Sequence, residues 1–130
     1  VRRRLALGVI TLLGGAAAVA AQTPGPSAPK VGDAEAGAQM FDVRCGFCHG
    51  DGGVGGQGPS LIGVVGRKAG TVPTFAYSAA LKASGITWSA AELDRWLTDP
   101  AAAVPGTAMA ANVPDAKERA DVIAYLGTLH

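Results

Sequence analysis

Aromatic residues are scarce: Phe, Trp and Tyr make up 5% of the 130 residues. Cysteine is scarcer still, at two, which excludes a multi-disulfide scaffold. Charge of one sign is missing too. Eleven Lys and Arg against ten Asp and Glu leave a formal charge of +1, a balance that argues against a nucleic-acid-gripping protein. The length suits one domain and not comfortably two. The 48% hydrophobic fraction overstates the core, because 26 residues are Ala and many others lie in one N-terminal run. From residue 23 onward only 27 residues are Val, Ile, Leu, Met, Phe, Trp or Tyr, and 19 Gly and eight Pro in the chain dilute them. That is a thin supply for a small domain. A large apolar cofactor filling the middle would answer it.

The one long apolar run spans residues 5–20 and follows Arg2, Arg3 and Arg4. It is shorter than the ~20 residues a spanning helix needs, and small residues at positions 18–21 offer cleavage sites. Residues 1–22 therefore read as a secretory signal peptide, with an uncleaved membrane anchor as the alternative. Export to the periplasm is the expectation. Residues 23–31, rich in Pro, read as a disordered linker, and residues 32–130 as the folded domain. Without residues 1–22 the formal charge becomes −2.

The domain reads as all-α. Asp33 is placed to cap a first helix that runs into Cys45, with Gly37 and Phe41 on one face. Ser78 starts a short helix through Ala83. Ser89 and Glu92 form a capping box, with Trp88 and Leu93 as a hydrophobic staple, for a helix ending before Asp99-Pro100. Asp115 and Glu118 start a last helix carrying Val122, Ile123, Tyr125, Leu126 and Leu129. Residues 50–73 show no strand alternation. Loops this long need a reason.

Cys45-Gly46-Phe47-Cys48-His49 supplies one. It is C-x-x-C-H, the covalent haem attachment signal. Two thiols three residues apart reach the two vinyl groups of a haem, and the following His becomes an axial iron ligand. A thioredoxin-like site would need a βαβ setting. A structural zinc site wants four Cys or His ligands, and Cys45, Cys48, His49 and His130 are all the chain has. A plain disulfide leaves His49 unexplained. For the sixth ligand the candidates are Met40, Met109 and His130. Met40 shares the first helix with the attachment site and suits core filling. His130 is terminal. Met109 follows a Pro105-Gly106 turn that can swing a thioether across the far face, and is favoured. Gly53 to Gly58 fits G-x-G-x-x-G, but no strand precedes it and no helix opens from it, so a dinucleotide site is rejected.

With these residues on the page the chain resembles the class I cytochromes c, specifically the mitochondrial and bacterial c2 group. The resemblance spans nearly all of residues 32–129: Gly37 and Phe41, CGFCH, then Gly58-Pro59-Ser60-Leu61 and Val65-Gly66-Arg67-Lys68. It continues with Phe75-Ala76-Tyr77-Ser78, Gly85-Ile86-Thr87-Trp88, Pro105-Gly106-Thr107-Ala108-Met109 and Ile123-Ala124-Tyr125-Leu126. It implies a fold in which first and last helices cross at Gly37 and long loops wrap one haem c. It implies His49 and Met109 as axial ligands and the Pro59 carbonyl as acceptor for the His49 ring. Arg67, Tyr77, Trp88 and Thr107 look like residues that hydrogen-bond a haem propionate or its network.

Three departures stand out. Leu81 replaces a common Asn, and Ala108 a common Lys, so the family's Lys ring is largely missing. Trp96 stands where a Tyr commonly packs near the Met ligand; an indole donates but does not accept, so a hydrogen bond to the Met109 sulfur does not carry over with the resemblance. The resulting expectation is a monomeric single-haem electron carrier, not an enzyme. The resemblance implies a quinol-oxidising, bc1-type donor and an oxidase or photosynthetic reaction centre as acceptor.

Overall fold

A computed structural model describes residues 31–130. The signal peptide expected over residues 1–22 lies outside the described residues, as does the linker expected over 23–31 apart from its last residue. Among the described residues no helix is long and apolar enough to cross a membrane.

The expected helices form where their caps predict. Asp33 accepts from the Glu35 and Ala36 amides and opens α1, Ala34–Arg44. The C-x-x-C-H run itself makes a single turn, α2, Gly46–His49, followed by a 3₁₀ turn at Asp51–Gly53. Ser78 caps α3, Ala79–Ala83. Ser89 caps α4, Ala90–Thr98, through the Glu92 amide at 3.1 Å. The reciprocal half of the capping box is absent. The Ser89 amide donates to the Thr87 carbonyl instead, and the Glu92 carboxylate accepts from Arg95 at 2.7 Å. Asp99 caps a further short helix, α5, Pro100–Ala103, with Pro at its first position. Asp115 opens α6, Ala116–Leu126. No strand forms among the described residues; one isolated bridge joins Lys68 and Thr87.

The crossing of α1 and α6 is the frame of the molecule. A Cβ on Gly37 would collide with the Asp121 carbonyl, and one on Gly32 with the Ala120 carbonyl, so these two glycines set how closely the chains approach. Phe41 is fully buried beneath the crossing, its ring 5.2 Å from that of Tyr125. Buried Asp121 ties the two ends together, accepting from the Asp33 amide at 2.8 Å and from Lys117 Nζ at 2.6 Å. The Lys117 ammonium, then the Asp33 amide, hold its carboxyl below the ordinary value of 3.8. The frame leaves an open middle, and α2, α3 and α4 face it.

Candidate functional site

That middle is a cavity of about 460 Å³, within the roughly 300–1,000 Å³ range of pockets that take small molecules. Its wall is mostly apolar: Phe41, Leu81, Leu93, Leu97, Val122 and Leu126 contribute from four helices. All nine residues singled out from the sequence line it: Cys45, Cys48, His49, Pro59, Arg67, Tyr77, Trp88, Thr107 and Met109. Met40 does not; it packs against the core. Neither does His130, which is exposed.

The His49 side is built by a glycine-rich strap. The His49 ring is 8% exposed and its Nδ1 lies 2.8 Å from the Pro59 carbonyl oxygen. A carbonyl only accepts, so Nδ1 carries the proton and donates, and the lone pair is left on Nε2. The strap is fixed by the Gly55 amide on the His49 carbonyl at 2.6 Å and the Gly58 amide on the Cys48 carbonyl at 2.7 Å. A Cβ on Gly58 would stand 2.7 Å from His49 Cε1, so only glycine lets the chain pass the ring. Both thiols are free and reach the cavity; burial pushes the Cys45 thiol above its ordinary 9.0, against the opposing pull of Arg44.

On the Met109 side the hydrogen bond left open by the sequence is present. Trp96 Nε1 donates to Met109 Sδ at 3.2 Å. An indole cannot accept, but a thioether can, and donation is all this contact requires. Trp96 is fixed in turn by an edge-on contact with Trp88, ring centroids 5.2 Å apart.

Between these sides lie polar groups with unused hydrogens. The Trp88 indole N–H, the Tyr77 hydroxyl and the Thr107 hydroxyl each donate to no acceptor among the described residues, although Tyr77 and Thr107 accept from the Val72 and Met109 amides. Arg67 uses Nη1 on the Ile62 carbonyl and Nη2 on the Ser60 carbonyl, at 2.7 and 2.8 Å, and keeps three N–H groups. Donors that open on an apolar cavity and lack acceptors in the chain suit acceptors on an occupant. Three of them and a guanidinium around one apolar cavity fit an apolar occupant that carries carboxylates, which a haem does.

Sequence reading missed several supports of this site. Gly58 appeared only within a rejected motif and a resemblance. Arg119 went unnoticed, yet it is buried and donates to the Val113 and Pro114 carbonyls that follow Met109. No periodicity marks such a residue, since an Arg in a helix is ordinarily a surface charge.

The family model for cytochrome c matches residues 34–130. The chain is 48% identical over 100 residues to cytochrome c of Euglena viridis, covering 75% of this chain and 98% of that protein. It is 47% identical over 107 residues to cytochrome c2 of Rhodomicrobium vannielii, covering 80% of this chain and 85% of that one. Among solved structures it matches cytochrome cH from Methylobacterium extorquens with a TM-score of 0.69 and 48% identity, over 75% of this chain and 99% of that chain. All-α architecture, the α1–α6 crossing, long wrapped loops and these matches agree: the chain belongs to the class I cytochrome c family, haem-binding proteins of electron transport that are carriers rather than enzymes.

Proposed function

We propose that this protein is a periplasmic single-haem electron carrier whose iron is held by His49 and Met109, with the haem joined through Cys45 and Cys48. The observation that carries the reading is the paired fixation of two donors in one cavity: His49 by the Pro59 carbonyl and Met109 by the Trp96 indole. When bound, the haem supplies a one-electron ferric/ferrous couple, and a His/Met ligand pair raises its potential. The chain's own part is to exclude water with its apolar wall, to keep the His49 lone pair on Nε2, and to offer Arg67, Tyr77, Trp88 and Thr107 to the propionates. Partners are redox proteins, donor and acceptor, meeting the carrier in small, weak interfaces. A quinol-oxidising complex and an oxidase or reaction centre fit that role. The segment 1–22 serves export, and residues 32–130 are the working domain.

The purified holoprotein tests this. A pyridine haemochrome assay should give one covalently held haem per chain, and a potentiometric titration one reversible one-electron wave. A haem that extracts into acid acetone, or no haem at all, would refute the proposal.

Trp96 allows a finer expectation. Its N–H presents a positive dipole end to the Met109 sulfur, which favours the electron-richer ferrous state. Trp96→Phe should lower the potential by about 20–60 mV, since a hydrogen bond is worth roughly 1 kcal/mol and 59 mV is a tenfold change for one electron. An unchanged or raised potential would show that the sulfur does not feel this donor.

A further inference from the structure

The segment between α5 and α6 carries Met109, and its tip is almost unsupported. Residues 108–112 make no backbone–backbone hydrogen bond among the described residues. Ala108, Ala110, Ala111 and Asn112 are exposed. Only Met109 itself is held, by the Thr107 hydroxyl on its amide at 3.4 Å and by Trp96 on its sulfur. The position of the tip is therefore set by the stem on each side. The stem before Met109 is a single turn, with the Thr107 amide on the Val104 carbonyl at 3.1 Å. The stem after it is clamped. Val113 is 2% exposed and its amide donates to the Leu97 carbonyl at 2.7 Å. Arg119 Nη1, from α6, donates to the Val113 carbonyl at 3.0 Å and the Pro114 carbonyl at 2.7 Å. Arg119 Nε donates to Asp94 Oδ1 on α4 at 2.9 Å.

We propose that Arg119 and Asp94 are positioning residues for Met109, a latch that keeps its loop closed over the cavity. The pair does more than join α4 to α6. Asp94 and Trp96 lie two residues apart on the same helix, so the carboxylate that aims Arg119 and the indole that holds the sulfur move as one body. One planar guanidinium spans α4, α6 and the loop stem, and a lysine ammonium cannot reproduce that fork. Releasing it leaves the stem after Met109 with the Val113 amide bond alone, and Met109 with its Thr107 and Trp96 contacts. The open loop is then more populated, while the His49–Pro59 side, which shares no hydrogen bond with Arg119 or Asp94, stays as it is. The inference rests on Met109 being an iron ligand.

The test uses the oxidised holoprotein and imidazole as an added ligand that binds only where the sixth position is open. Apparent affinity rises in proportion to the open fraction. Arg119→Lys should bind imidazole about tenfold more tightly than wild type, and Asp94→Ala severalfold more tightly, with weaker sulfur-to-iron charge-transfer absorption in both. Asp33→Ala removes an exposed cap of α1 that does not line the cavity, and serves as the control for lost stability. It should leave imidazole affinity unchanged. If Met109→Ala raises imidazole affinity but Arg119→Lys and Asp94→Ala do not, the latch is refuted and the ligand stands. If Asp33→Ala raises it as much as they do, the effect is global loosening and the latch is again refuted. If Met109→Ala itself changes nothing, the ligand assignment fails and takes the latch with it.

Discussion

Met109→Ala should open the sixth iron position of the holoprotein, abolish the sulfur-to-iron charge-transfer band and let carbon monoxide bind the reduced form. The potential should fall by on the order of 0.1–0.3 V, a sizeable part of the roughly 0.8 V that axial ligands command. The direction follows from the lost thioether, a soft donor that favours ferrous iron. Alanine also leaves the Trp96 N–H without its acceptor, so water can enter and favour the ferric state further. Met40→Ala removes a core contact outside the cavity wall and should leave the band intact. Loss of the band in Met40→Ala together with its survival in Met109→Ala would reverse the assignment.

The double change Cys45→Ala, Cys48→Ala should leave a haem-free chain largely unfolded, with at least about half of its helical circular dichroism gone. Cavities cost about 24 cal/mol per Å³ in large-to-small substitutions. At that rate an empty space of about 460 Å³ is worth roughly 10 kcal/mol, against a typical total stability of about 5–15 kcal/mol. The two helices that cross at Gly37 are only 11 residues each, marginal on their own. They meet over Phe41, Val122 and Leu126, all of which also line the cavity, so the crossing and the cavity stand or fall together. A cooperative thermal transition with native-like helix content in the haem-free chain would contradict this.

Much of this architecture was legible because it is written in local chemistry. Asp33, Ser78, Ser89 and Asp115 each accept an amide hydrogen where a helix begins, and a short side-chain oxygen before an apolar-periodic run announces itself. The C-x-x-C-H run is equally local, and the turn it forms carries both thiols and His49 to one wall. The scarcity of large apolar residues correctly pointed to a missing volume. What stayed hidden is long-range. The Arg119 clamp joins residues 25 apart in sequence at Asp94, and the Asp121 contact joins residues 88 apart at Asp33. Nothing in a helical period distinguishes a buried Arg119 or Asp121 from a solvated one. The sequence leaves the Trp96 bond to Met109 open, since an indole and a phenol differ in what they offer. What decides it is the direction of one N–H relative to a sulfur 13 residues along the chain, and only the folded geometry supplies that.

Charge leads to a related expectation about how partners are met. Ala108 and Ala110 are exposed beside Met109, and Phe47 and Val54 are exposed near Cys48, at 81% and 66%. The exposed cations nearest to the cavity are few, and Arg44 is already paired with Glu118 at 3.4 Å. Attraction over the Debye length, about 10 Å at 0.1 M salt, contributes little to a surface of this kind.

With His49 and Met109 filling both axial positions of the iron, as proposed, the reduced protein offers no site to an added gas. Carbon monoxide titration of the reduced, dithionite-treated wild-type holoprotein, followed by absorption, tests this most simply. The spectrum should stay unchanged up to saturating gas at neutral pH. Stoichiometric carbon monoxide binding by the wild type would contradict the proposed ligation, because it would show an open iron position where Met109 should stand.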